Sequence, residues 1–92
     1  MSKNSKRRTK YRVELTPRFD KEFSKLTKEI KARIAEKIDK LKENPHVYKK
    51  LHGKLKGLFS MRVGDYRIIF MLDERRRRVI LLSVAHRKRV YK

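Results

Sequence analysis

The sequence contains no cysteine, which removes disulfides, thiolate nucleophiles and cysteine-ligated zinc together. His46, His52 and His86 remain, far apart and without a carboxylate at helpful spacing, so neither a metal site nor a cofactor is expected. Acidic residues are scarce: 10 Asp and Glu stand against 29 Lys and Arg, a net charge of +19. Such a chain repels itself unless an anion neutralises it, so its partner should be a nucleic acid, a membrane surface or an acidic protein. Long apolar runs are missing as well. No segment approaches the roughly 20 apolar residues of a membrane span. The basic stretch Met1 to Lys10 leads into Tyr11-Arg12-Val13 and not into the apolar core of an export signal. A cytoplasmic protein with no membrane partner is the expectation.

What is present is sharply patterned. At 92 residues, 38% apolar and 42% charged, there is room for one domain with one modest core. Residues 1–10 are basic and aperiodic and are expected to form a flexible arm, leaving 11–92 as the domain. Tyr11, Val13 and Leu15 alternate with polar residues, the period of a strand. Thr16-Pro17 offers a cap and a first helical position, and Phe19, Phe23 and Leu26 then share a stripe, which predicts a helix over 17–26. Thr27 caps a second helix over 28–43, with Ile30, Ile34, Ile38 and Leu41 on its apolar face, and Asn44-Pro45 stops it. Residues 46–58 read as a basic loop leading into a strand. Phe59, Met61 and Val63 alternate, as do Tyr66, Ile68 and Phe70, and Gly64-Asp65 between them suits a two-residue hairpin turn. Val79 to Ala85 is apolar at nearly every position, as in a strand flanked on both sides. The expected fold is therefore α+β, with two N-terminal helices packed on one face of a four-stranded, mostly antiparallel sheet.

Register arithmetic on the hairpin separates two faces. A turn at Gly64-Asp65 sets Val63 opposite Tyr66, Arg62 opposite Arg67, Met61 opposite Ile68 and Phe59 opposite Phe70. The apolar set should lie under the helices, and Arg62 and Arg67 should be neighbours on the other face, beside Ser60. The plain reading is two solvated arginines with splayed stems; the sharper one is a phosphate site made by two guanidinium forks. Ser83 and Ala85 share the parity of Arg87 and are small enough to floor a groove. With His86 and Tyr91 nearby, cations, an imidazole and an aromatic ring would then gather in one concavity suited to RNA. Lys50, Lys54, Lys56, Ser60, Lys88 and Arg89 are expected to add RNA contacts around it. The run Arg75 to Arg78 lies on a turn away from this groove and reads as solvated charge.

Leu51-x-Gly53, Arg62-Val63-Gly64-Asp65-Tyr66-Arg67 and the ending His86-Arg87-Lys88-Arg89-Val90-Tyr91, in this order of elements, resemble the RelE/ParE superfamily of toxins, on the RelE side. The resemblance covers residues 11–92 and implies a metal-independent endoribonuclease that cuts mRNA in the ribosomal A site and is held by a RelB-like acidic antitoxin. It also implies that Arg62 binds phosphate, that Arg67 faces the scissile phosphate, that Arg87 assists the leaving group and that Tyr91 stacks on an mRNA base. Ser60 falls where a relative has a strand lysine assigned to proton abstraction, so the base is not set by the resemblance. His86 is a candidate acid or base from its own chemistry. A ParE-like gyrase poison and a non-catalytic basic RNA-binding or ribosomal protein are the alternatives.

Overall fold

Thr16 ends one element and begins the next. In the computed structural model, which describes residues 11–50, 57–86 and 88, strand β1 (Arg12–Leu15) stops there. The Thr16 hydroxyl oxygen accepts from the backbone N–H of Phe19 at 3.2 Å and caps helix α1 (Pro17–Ser24). Thr27 does the same for helix α2 (Lys28–Leu41), accepting from Ile30 N–H at 3.3 Å. Each helix ends two residues before the expected point, the remainder being a turn. A 3-10 turn, Pro45–Val47, follows the Asn44-Pro45 break.

Strands β2 (Lys49–Lys50), β3 (Leu58–Val63), β4 (Tyr66–Asp73) and β5 (Arg78–His86) complete the sheet, in the order β1-β5-β4-β3-β2. The four expected strands are all there, and the two-residue β2 adds a fifth on the edge. β1 runs parallel to β5 and the other pairings are antiparallel. The β3–β4 register is the expected one at every position, from Val63 opposite Tyr66 to Phe59 opposite Phe70. Gly64 has φ +59° and Asp65 no positive φ, the pattern of a II′ turn, whose twist matches that of the flanking strands.

The helices cover one face, α1 over β5 and α2 over β3. Phe19, Ile34 and Leu41 meet Phe59, Met61, Val63, Ile68, Phe70, Val79, Leu81 and Val84 in the core, with Phe23, Ile30 and Ile38 half-buried against it. Each fully buried side chain of this kind contributes on the order of 1.5–3 kcal/mol. The Phe59 and Phe70 rings stack at 5.3 Å.

One irregularity re-aims the end of β5. Ile69 pairs with Ser83 but Phe70 pairs with Leu81, so Leu82 is the extra residue of a bulge, and Leu81 and Val84, three apart, both reach the core. Thr16 holds this point, donating its N–H and its hydroxyl to the Leu81 carbonyl at 3.2 and 2.9 Å. Past the end of β1, the Val84 N–H donates to Glu22 Oε1 of α1 at 3.0 Å, so this part of the strand edge is satisfied by a side chain. Among the described residues no helix is long and apolar enough to cross a membrane.

Candidate functional site

The face of the sheet away from the helices carries the chemistry, and alternation decides which residues reach it. Directly opposite residues of an antiparallel pair share a face. Arg62 pairs with Arg67, and Arg67 pairs with Ala85, so one row across β3, β4 and β5 reads Arg-Arg-Ala. The next row reads Ser60, Ile69, Ser83. The expected parity therefore holds: Ser83 and Ala85 lie on the arginine face. Arg62 is exposed and Arg67 half-buried, with Cβ atoms of such a pair about 4.5–5.5 Å apart. Ala85 beside Arg67 leaves room for a ligand where a longer side chain would stand. Ser60 is buried, so it belongs to the floor of this face.

The same alternation places two more of the expected residues on the helix side. His86 pairs with Tyr66, and Tyr66 pairs with Val63 of the core, so the imidazole lies on the helix side of the sheet and not with Arg62 and Arg67. Its ring meets that of Tyr66 edge to face at 5.4 Å, and its Nδ1 accepts the backbone N–H of Lys88 at 3.3 Å. The ring thus contacts the strand end through Tyr66 and the Lys88 backbone. Lys50 pairs with Phe59 and is exposed at the sheet edge, so by register it too falls on the helix side. Lys88 is exposed just past β5. Arg87, Arg89 and Tyr91, Lys54 and Lys56, and the arm 1–10 lie outside the described residues.

The opposite end of the sheet is held by charge: Arg76 and Arg78, expected to be solvated, are paired there. The Arg78 guanidinium donates to Glu14 Oε1 at 2.8 Å and to Asp73 Oδ2 at 2.9 Å, and Arg76 donates from its backbone N–H to Asp73 Oδ1 at 3.3 Å. The Arg78 hydrogen bond is the main reason that the Asp73 carboxyl titrates below its ordinary value. Next to it, Tyr11 Oη donates to Glu74 Oε1 at 2.6 Å and lies 3.2 Å from His46 Nε2, which is 3.1 Å from Glu74 Oε2. The hydrogen bond to Glu74, followed by burial, raises the Tyr11 phenol. This cluster joins the chain at Tyr11, the 3-10 turn and the β4–β5 turn, some 20 Å from Arg67 at about 3.3 Å per strand residue. No sequence spacing announces it, because its members are 28 to 63 positions apart. Among the described residues no group of three His, Asp or Glu side chains converges as a metal site would require.

Comparison with known proteins matches this architecture. Residues 13–91 match the family described as the ParE toxin of type II toxin–antitoxin systems. A putative toxin RelE4 of Methanocaldococcus jannaschii is 30% identical over 86 residues, covering 89% of this chain and 92% of the relative. A toxin RelE of Mycobacterium tuberculosis is 33% identical over 84 residues, covering 89% of this chain and 87% of the relative. Among solved structures, the RelBE2 toxin–antitoxin complex of M. tuberculosis superposes with a TM-score of 0.80 at 32% identity, covering 85% of this chain and 92% of the other. The archaeal RelE–RelB complex of Pyrococcus horikoshii gives 0.73 at 28%, covering 87% and 98%.

Proposed function

The chain belongs to the RelE/ParE family of type II toxin–antitoxin toxins, and from that premise we propose that it is a RelE-like endoribonuclease that cuts mRNA in the ribosomal A site without a metal and so stops translation. The observation that carries this reading is the pairing of Arg62 with Arg67 on the face away from the helices, beside the small Ala85. Two arginine side chains rooted at directly opposite positions on one face repel divalent cations and attract a phosphodiester.

The reaction such a face supports is an internal transfer. The 2′-oxygen of the RNA attacks its own phosphorus, its proton passes to a base, the bond from phosphorus to the 5′-oxygen breaks, and that oxygen takes up a proton. The products are a 2′,3′-cyclic phosphate and a 5′-hydroxyl. Arg62 and Arg67 bind the non-bridging oxygens and gain strength as negative charge builds on them, which is the part of binding that accelerates chemistry. Arg87 follows Ala85 by two in the sequence; in this reading it serves the leaving oxygen, and Tyr91 stacks on a base. His86, braced against Tyr66 on the other side, acts as a support for that terminal segment. The proton path then falls to Tyr91, to a lysine of the 49–56 segment or to the ribosome, which also imposes the in-line geometry.

An acidic, RelB-like antitoxin laid over the arginine face is the partner proposed, as the solved relatives from M. tuberculosis and P. horikoshii are complexes with antitoxins. The protein acts in the cytoplasm, where ribosomes are, through one domain spanning 11–92. The deciding experiment is cleavage of a translated mRNA in a cell extract, mapped at the A-site codon. The family description names ParE, so a gyrase supercoiling assay runs beside it. Gyrase inhibition without cleavage assigns the chain to the gyrase poisons, and RNA binding without either makes it a non-catalytic binding protein.

A further inference from the structure

A cationic concavity lies beside helix α2. It is an open groove of about 480 Å³ between α2 and the end of β3, with Arg33, Lys37 and Lys40 on one wall and Arg62, Val63 and Gly64 on the other. The three α2 cations are spaced four and three apart, so they form one stripe about 10 Å long at 1.5 Å per residue. Arg33 spans the groove: its Nη1 lies 3.8 Å from the point where a Cβ on Gly64 would stand. Among the described residues, Arg33, Lys37, Lys40 and Arg62 take part in no ion pair, whereas Arg18, Lys42, Arg76 and Arg78 do. Glu36 is the only acid lining the groove. Four cations facing one carboxylate repel each other in the free protein, and an anion bound between them relieves that repulsion.

We propose that this groove, through Arg33, Lys37 and Lys40, binds the phosphate backbone of RNA beside the cutting face, which it meets at Arg62, and that these three cations set affinity without taking part in the reaction. The inference rests on RNA as the polyanion of the proposed function. An acidic protein segment fits less well. Interfaces between proteins need buried apolar or aromatic anchors, and the single apolar residue here, Val63, is already buried in the core. A phosphate backbone needs only charge, because released counterions supply the free energy. No aromatic ring lines the groove, so bases have nothing to stack on and binding is independent of sequence. Arg62 lines this groove and also stands in the arginine row, which makes the two surfaces continuous.

The test compares two triple variants of the full chain with equal charge: Arg33→Ala/Lys37→Ala/Lys40→Ala in the groove and Lys21→Ala/Lys25→Ala/Lys28→Ala elsewhere. Alanine at these positions, helical or, for Lys25, the C-cap of α1, preserves the helices, and circular dichroism checks it. Affinity for a 2′-O-methyl single-stranded RNA, which cannot undergo internal attack, is followed by fluorescence anisotropy from 50 to 200 mM salt. The groove variant is expected to flatten the slope of log K against log salt by about 2, near 0.7 per lost phosphate contact, with the other triple changing it far less. Its cleavage rate on saturating programmed ribosomes should equal that of the parent. Sedimentation with empty ribosomes forms a second arm: selective loss there places ribosomal RNA in the groove, and loss only on the free strand places the cut RNA there. Equal effects of the two triples in both arms overturn the proposal, as does selective loss of poly-glutamate binding with the RNA slope intact. A parent that cleaves RNA but shows equal triples defeats the groove alone; a parent that binds no RNA defeats the proposed function with it. If the triple variant does not fold, Lys37→Gln/Lys40→Gln is read the same way, with an expected slope change of about 1.4.

Discussion

Arg62 and Arg67 stand directly opposite one another across β3 and β4, on the face away from the helices. Like charges in that position disfavour the fold by up to about 1 kcal/mol. In the proposed function, a sheet that retains them offers two arginine side chains from directly opposite positions to one phosphate, so little reorganisation is left for the reaction.

Replacing either arginine with alanine should therefore separate activity from stability. Arg62→Ala and Arg67→Ala are each expected to lower single-turnover cleavage by about 100 to 1,000-fold, with the thermal stability of the exposed Arg62→Ala variant unchanged or slightly higher. Arg87→Ala should follow them in activity. Arg76→Ala, at the far turn where the side chain pairs with Asp73, should leave cleavage nearly intact. Equal losses at Arg62 and Arg76 would reduce the site to a general field of positive charge.

His86 gives a different expectation. Because its ring lies against Tyr66 and its Nδ1 is engaged by Lys88 N–H, His86→Gln should slow cleavage through the position of the terminal segment and leave the acid limb of the pH–rate profile in place. A limb that disappears in this variant would restore the imidazole as the base.

Gly64 is held at φ +59°. Gly64→Ala places a methyl group 3.8 Å from Arg33 Nη1, an ordinary contact, so the cost is conformational and should be about 1 kcal/mol. Denaturant unfolding measures it. A loss near zero would mean that the turn changes type, and the Arg62–Arg67 register should then be lost with it.

Asp73 makes the fold sensitive to acid. Its hydrogen bond from Arg78 lowers the carboxyl below its unfolded value of 3.8. A depressed folded pKa means that the stabilisation is complete above the unfolded value and is lost as pH falls through the folded one. Thermal melts should show the parent losing this contribution below about pH 4, while Asp73→Asn starts less stable at neutral pH and shows a shallower decline. Parallel curves for the two proteins would remove Asp73 from the acid response.

Local chemistry made much of this legible from residues alone. Thr16 and Thr27 cap their helices through contacts three residues away, and the Gly64-Asp65 turn sets the β3–β4 register through two-residue alternation, so each depends only on near neighbours in the chain. The placement of Arg62 against Arg67 follows from that same alternation. The expectation for His86 rests on its nearness to Arg87 in the chain; β5 runs through His86, and the alternation that sets Ser83 and Ala85 on the arginine face turns the imidazole to the other.

The rest belongs to the tertiary structure. The bulge at Leu82 arises where β5 must serve β4 on one side and Thr16 on the other, a demand made by two segments far away in sequence. The Tyr11–Glu74–His46 cluster and the groove between α2 and Gly64 exist only once the helices lie on the sheet. Periodicity determines which face of an element is apolar, since it acts residue by residue. What stands across from that element is decided by packing, because contacts between distant segments leave no period in the chain.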